Sequence, residues 1–471
     1  MRAASRGALG LLLAAALSVP ARAADPPAGP APLGIREAVA LALEKSPDLL
    51  DSRDLLKSAE ANLAGVRALF LPQLTPFFGR TPHDGDLGPR SDVGAALSQQ
   101  FSFGPRILAQ ARATSAPGEE DYGSTFSATV EQPVLKGADP VVPKEPLRAA
   151  RRLVDTQGRS LSTRRRQTVV AVWGSYLAAV AAEELLSVAR ESAERSGKLL
   201  EASRARFAAG SVSRLDVLRA EQLLASALAY AADTQAARDD TQDALGRILG
   251  QGPGSRFLLD APERLPVQPP EVEEAVAASR TLREELVEER ERVRDAEVQV
   301  RIAKSLVLPS LNLAAGWNAT GAGADAWEAI TSPGSGTFSL GFRASADVNR
   351  GQTLAQKAQA EISLGTARRS ALLMEQDVER QVRAAARRLA AARQRFAIEE
   401  ANLEVARTQL EVAALRFEKG LSDNFHVVDA ENLYNSARVA LLSSRNAVLL
   451  AGLDLLSAAG LLAPEDFTAP R

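Results

Sequence analysis

Two stretches of this chain align on each other without a gap. Arg206-Phe207-Ala-Ala-Gly210 through Glu221 matches Arg416-Phe417-Glu-Lys-Gly420 through Glu431 at an offset of 210 residues. A second pair, Ala59-Glu60 through Leu74 against Ala296-Glu297 through Leu311, shares a Leu-Pro-x-Leu and lies at an offset of 237. A duplicated chain builds one unit twice, which confines it to folds that divide into like halves. The 27-residue difference between the offsets is extra length in the first copy, between its Leu-Pro-x-Leu and its Phe-x-x-Gly. Each copy reads as helix, strand region, very long helix, tight turn and returning helix. The expected copies span residues 24–249 and 271–471, joined by a Pro- and Gly-rich linker over 250–270.

The long helices carry the strongest periodicity. Val382, Leu389, Phe396, Leu403, Leu410 and Phe417 fall on one seven-residue register, and Val172, Ala179, Leu186, Ala193, Leu200 and Phe207 are their first-copy counterparts. Three residues further on, the positions hold Ala385, Ala392, Ala406 and Ala413, and Ser175, Ala182, Ala189, Ser196 and Ser203, with Glu399 the exception. Small residues there let helices approach closely in a left-handed supercoil. The composition agrees: 46% of residues are hydrophobic but 4% aromatic. No proline interrupts Leu147 through Gly252 or Gly334 through Ala463, so nothing forces a kink. From Leu147 to Ala209 a straight helix is about 95 Å long. On helices alone, a long soluble coiled coil fits equally well.

Alternating stretches add a second element. Phe338, Leu340, Phe342, Ala344, Ala346 and Val348 alternate with Ser339, Gly341, Arg343, Ser345, Asp347 and Asn349. Leu311, Leu313, Ala315 and Trp317 form a similar set, as do Phe126, Ala128 and Val130 in the first copy. Such strands suit a barrel with lipid outside and water inside, although a small soluble sheet with one solvated face alternates in the same way. The extra first-copy residues hold Val93, Ala95, Leu97, Gln99 and Phe101, then Phe103-Gly104-Pro105, then Ile107, Ala109, Ala111 and Ala113, the pattern of an added hairpin. One chain then supplies six strands, or four if the hairpin stays outside the wall. Barrels of about eight strands fill their interiors with side chains, so a water-filled lumen requires several protomers to share one barrel.

At the N-terminus, Arg2 and Arg6 precede the apolar run Leu9 to Val19 and the small-residue site Ala21-Arg22-Ala23. Residues 1–23 are expected to be a secretory leader. No later stretch reaches about 18 uninterrupted apolar residues, so any membrane-embedded part is expected to be built of strands. The chain has no cysteine, hence no disulfide and no lipid-acceptor thiol. A formal net charge of -2 offers no basic surface for nucleic acid, and the basic segment around Arg164-Arg165-Arg166 reads as a solvated helix face. With no Cys, only His83 and His426, and no glycine-rich phosphate loop, the usual metal, nucleophile and cofactor constellations are not assembled. No enzymatic activity and no cofactor are expected.

Over nearly the whole mature chain, these features resemble the TolC-like outer-membrane efflux proteins. The resemblance is carried by the duplicated Leu-Pro-x-Leu junctions, the Glu131-Gln132-Pro133-Val134-Leu135-Lys136-Gly137 stretch and the duplicated Phe-x-x-Gly turns. It implies an α+β homotrimer whose protomers form one β-barrel in outer-membrane lipid and a long periplasmic α-barrel. It also implies a passive exit duct of an efflux or type I secretion system, meeting a periplasmic adaptor (membrane fusion) protein and an inner-membrane transporter. A periplasmic coiled-coil adaptor is the alternative, and strands inserted between helices in both copies favour the duct.

The turns hold the candidate site. Gly210 and Gly420 sit where each long helix reverses and are expected at positive φ. Ser213 and Asp216 have the spacing of a capping box, and Asp423, the counterpart of Ser213, is expected to cap the second returning helix. The resemblance implies acidic residues of that helix around a constricted entrance, a role that Asp429 matches. His426 stands where a second acid is expected. Their first-copy counterparts, Arg219 and Asp216, are assigned to the same constriction. Phe207, Gly210, Ser213, Phe417, Gly420 and Asp423 are assigned to the tips that meet the adaptor. On the residues alone, His426 and Asp429 equally describe a solvated first turn, and the two phenylalanines the packed end of a heptad seam.

Overall fold

The computed structural model describes residues 31–81, 90–115 and 121–468. The leader assigned to residues 1–23 and His83 lie outside the described residues. In chain order the elements are β1 (Ala31–Leu33), α1 (Ile35–Lys45), α2 (Pro47–Ala68), β2 (Gln73–Thr81), β3 (Arg90–Gln100), β4 (Arg106–Ser115) and β5 (Tyr122–Pro133). Then follow α3 (Val141–Ala208), α4 (Arg214–Ile248), β6 (Phe257–Leu259), α5 (Val272–Leu282) and α6 (Glu284–Leu306). The chain closes with β7 (Ser310–Gly323), α7 (Ala326–Thr331), β8 (Pro333–Ser345), α8 (Gly351–Glu418), α9 (Phe425–Ala459) and a 3-10 turn, Pro464–Phe467.

The two long helices α3 and α8 have 68 residues each, and the returning helices α4 and α9 have 35 each. At 1.5 Å per residue each long helix reaches about 100 Å. Helix α3 begins six residues before the proline-free window that predicted it. Pro143 falls in its first turn, where the missing N–H has no intrahelical partner anyway, and Pro146 removes one further bond.

The seven-residue register faces the packed side as expected. Val172, Ala179, Leu186, Leu200, Val382, Leu389 and Phe417 are buried, as are the small companions Ala182, Ala189, Ala385, Ala406 and Ala413. Helix α3 packs on α4, α8 packs on α9, and α3 also meets α9. By length and composition, α3 and α9 each contain a window apolar enough to cross a membrane, which the count of uninterrupted apolar residues did not register. About half of each window is buried against neighbouring helices, so these apolar runs serve the helical core.

That core sits at the waist of the molecule. Trp173 packs edge-on against Phe467, with ring centroids 6.1 Å apart, among Val39, Leu245, Leu453 and Leu456. Strands β1 and β6 pair in parallel beside it. The Tyr176 hydroxyl donates to Leu33 O at 2.8 Å and accepts from Asp260 N at 3.0 Å, tying both strands to α3. Burial, opposed by the hydrogen bond from Asp260, raises the Tyr176 phenol to about 12. The 250–270 linker is therefore a structured belt here.

Beyond the waist the chain forms one six-stranded antiparallel sheet in the order β2-β3-β4-β5-β7-β8. The extra hairpin, β3–β4, lies inside this sheet between β2 and β5, which decides for six strands over four. Strand β8 ends at Ser345, so Ala346 to Asn349, read as its continuation, form the connection into α8.

Candidate functional site

The strand register turns separate alternations into a single surface. Residues directly opposite each other on adjacent strands share a face of the sheet. One row runs Leu74, Leu97, Ala109, Ala128, Trp317, Phe338 across all six strands. The row two residues along runs Pro76, Ala95, Ala111, Phe126, Ala319, Gly336. The opposite face reads Thr75, Ala96, Gln110, Ser127, Asn318, Thr337 in one of its rows. It also carries the ion pairs Arg112–Asp92, at 2.9 Å, and Arg343–Glu131, at 3.3 Å. Phe77 and Leu108 are large apolar exceptions on that polar face. On the apolar face Phe338, Leu340 and Phe342 are 68%, 67% and 72% exposed. Leaving such surface in water costs about 25 cal/mol per Å², so this face is built to be covered.

At the far end of the long helices the two reversals are alike. Gly210 and Gly420 both have φ of 73°. Gly210 N–H donates to Phe207 O, and Ser211 N–H to Arg206 O; Gly420 and Leu421 repeat this with Phe417 O and Arg416 O. This is the Schellman closure that ends a helix with a left-handed glycine.

The helices that follow differ. Ser213 and Asp216 form the expected capping box: Asp216 N–H donates to Ser213 Oγ at 3.3 Å, and Asp216 Oδ2 accepts from Ser213 N at 3.0 Å. Asp216 is only 8% exposed, with Arg219 at 3.8 Å. Its carboxylate is thus taken up by the cap, which sets it apart from a charge offered to an entrance. In the second copy Asp423 does not cap. Asn424 occupies the N-cap position without a side-chain cap bond; its Nδ2 donates to Asp216 O at 2.7 Å, across the two tips. His426 and Asp429 are exposed and three residues apart on α9, hence on one helix face. Val427 and Ala430 point the other way, into a cluster with Phe417 and Ala413.

Phe207 and Phe417 share a register but not a fate. Phe417 is 6% exposed, whereas Phe207 is 46% exposed. Phe417 packs with Ala413, Val427 and Ala430, and over its ring lies Arg206, whose duplication as Arg416 carries no signal of this contact. Its guanidinium lies 4.1 Å from the Phe417 ring centroid and donates to Phe417 O at 2.5 Å and Glu418 O at 2.9 Å. A cation at these carbonyls also opposes the negative end of the α8 dipole.

Higher up, α3 and α9 are joined by a polar network without a local sequence signal. Arg195 reaches Glu431, which is 4% exposed. Asn435 bonds both Ser192 and Glu431. Glu191 meets Arg438 at 2.6 Å, and that guanidinium hydrogen bond holds the Glu191 carboxyl below its usual range. Among the described residues no group of three or more His, Asp or Glu side chains is placed to hold a metal ion.

No curated protein sequence matches the chain closely enough to count as a relative. Among solved structures it is similar to CusC, at 17% identity with a TM-score of 0.70, over 90% of this chain and 91% of that one. It is similar to the CmeC outer membrane channel of Campylobacter jejuni, at 15% identity with a TM-score of 0.68, over 90% and 85%. The outer membrane protein VceC of Vibrio cholerae stands at 17% identity and a TM-score of 0.68, over 90% and 96%. At these identities the likeness is one of fold. The sequence profile of the outer membrane efflux proteins matches residues 144–251 and 276–461, both long hairpins and most of the chain. The chain belongs to the outer membrane efflux protein family and shares its fold with solved outer-membrane channels.

Proposed function

We propose that three copies of this chain close one barrel in the outer membrane and one helical tunnel below it, forming the passive exit duct of an efflux or type I secretion system. The observation that carries this reading is the apolar face shared by all six strands. An even number of antiparallel strands leaves β2 and β8 running in opposite directions at the two open edges. A head-to-tail ring then pairs β8 of each copy with β2 of the next, and three copies give eighteen strands. Barrels of 16–18 strands hold an aqueous channel, and closure removes every unpaired edge.

The helices supply matching surfaces. Helix α2 exposes Leu50 and Leu55, and α8 exposes Leu354, Ile362, Leu372 and Leu373. These lie on opposite flanks of the sheet order and form a heterologous contact that closes by rotation. The duct narrows at the tips, where His426 and Asp429 face the lumen in triplicate. Phe207, exposed beside Gly210, and the neighbouring Gly420 turn meet the periplasmic adaptor, which connects to an inner-membrane transporter. The alternative, a periplasmic adaptor, leaves the six-stranded sheet without a role.

Reconstitution into planar lipid bilayers tests the duct. Discrete conductance steps are expected; bilayers that stay silent with correctly folded protein contradict it.

A further inference from the structure

Helix α7 lies in the connection between β7 and β8, at the end of the sheet away from the long helices, and packs on β4, β5 and β7. It occupies the apolar face. Ser124 Oγ donates to Ala329 O at 2.6 Å. Ala113, Ser124 and Ala319, on the three strands that α7 crosses, are buried, as is Ala329 itself. Two glycines make room. A Cβ at Gly323 would stand 2.5 Å from Ala329 N, and one at Gly321 2.8 Å from Ser332 O.

The acidic groups of α7 are occupied locally: Asp325 accepts from Glu328 N–H at 2.8 Å, and the Glu328 carboxylate accepts from Ala324 N–H at 3.0 Å. The exposed ring of α7 is Trp327, at 75% exposure. Trp317, on the same apolar face, instead lies over Gly336, where a Cβ would come within 2.2 Å of Trp317 Nε1.

We propose that α7 is a membrane-interface anchor, docked on the outside of the barrel wall, with Trp327 seated in the headgroup boundary of the outer leaflet. The inference rests on the barrel reading, because the face beneath α7 is the one that reading gives to lipid. An indole with an apolar body and one N–H donor is favoured where hydrocarbon meets water. The apolar band of the sheet runs without a break to the foot of α7, so lipid, and not a separate protein, is the occupant continuous with it. The segment fixes the depth at which the barrel sits.

The chain has no cysteine, so single nitroxide labels report depth without background. Labels are placed through Thr331→Cys on α7, Leu340→Cys in the middle of the band and Ser211→Cys at the tip. Thr331 is exposed one turn after Trp327, on the same face of α7. In phosphatidylcholine vesicles the ratio of oxygen to nickel-chelate collisions is expected to be highest at 340, lowest at 211, and at 331 several-fold above 211. Adding Trp327→Ser is expected to shift 331 toward the 211 value. Position 331 reading like 211, or shielded from both probes by protein, while 340 reads deep, overturns the anchor and leaves the barrel standing. Position 331 unmoved by Trp327→Ser also overturns it. Position 340 reading like 211 removes the barrel, and the anchor with it.

Discussion

Arg195 on α3 grips Glu431 on α9 through one edge of its guanidinium, Nε at 2.8 Å from Oε1 and 3.1 Å from Oε2, with Nη2 at 2.8 Å from Oε1. The two residues are 236 positions apart, one in each long hairpin. The pair fixes the spacing of the hairpins where the seam of small residues alone would allow sliding.

Arg195→Ala leaves the Glu431 carboxylate buried without its cation. Breaking such a pair is expected to cost about 3 kcal/mol, the low end for buried pairs, because Arg195 keeps a third of its side chain exposed. The double variant Arg195→Met with Glu431→Leu is expected to recover most of the loss. Denaturant unfolding of the helices, followed by circular dichroism in detergent, checks both.

The Tyr176 phenol, raised to about 12 by burial, makes the waist sensitive to alkali. The unfolded phenol ionises near pH 10, so the folded state holds more protons between about pH 10 and 12. The stability contributed by Tyr176 is therefore complete below pH 10 and lost as pH rises through 12. Tyr176→Phe is expected to lower stability at neutral pH and to flatten this alkaline decline. Paired melting curves from pH 9 to 12 decide it.

Phe342 and Arg343 are neighbours on β8 that face opposite ways. Phe342→Asp is expected to reduce outer-membrane yield strongly, since a charge on a lipid face costs up to a few kcal/mol depending on depth. Arg343→Gln loses an exposed pair with Glu131 and is expected to insert normally. Equal yields remove the assignment of faces.

Gly210→Val and Gly420→Val force a β-branched residue into φ of 73°, where even an unbranched L residue loses roughly 1–2 kcal/mol. No neighbouring atom lies within 4 Å of either Cβ position, so the strain is confined to the backbone of the tip. Membrane insertion is expected to survive while crosslinking to the adaptor falls. Wild-type crosslinking in both variants contradicts the tip assignment.

Asp429→Asn is expected to lower the preference for cations in single-channel recordings, and His426→Asp to raise it, because a ring of like charge sets the local ion concentration. Selectivity indifferent to both substitutions places these side chains outside the lumen.

Much of this architecture was legible in the sequence because it rests on short-range rules. The left-handed turns at Gly210 and Gly420, the cap of Ser213 and the buried register from Val382 to Phe417 follow from propensity and period. The alternation of Phe338, Leu340 and Phe342 gave their face, but only pairing with Trp317, Ala315 and Leu313 shows that six strands share it. What escaped the sequence depends on partners far along the chain. Asp423 has the spacing of a cap, but Asn424, bonded to Asp216 across the tip, stands at the N-cap position. Phe207 and Phe417 are equivalent in register, but Val427, Ala430 and Arg206 cover Phe417 alone. The network of Arg195 and Glu431 has no local pattern, and α7 is too short for a period to reveal.

The central claim is that one protomer supplies a third of a closed wall. Light scattering on protein extracted from the outer membrane in mild detergent measures this directly, after subtraction of bound detergent. The mass is expected to equal three copies of the mature chain, stable on dilution. A monomer recovered from the soluble periplasmic fraction, with its apolar sheet face uncovered, contradicts the account.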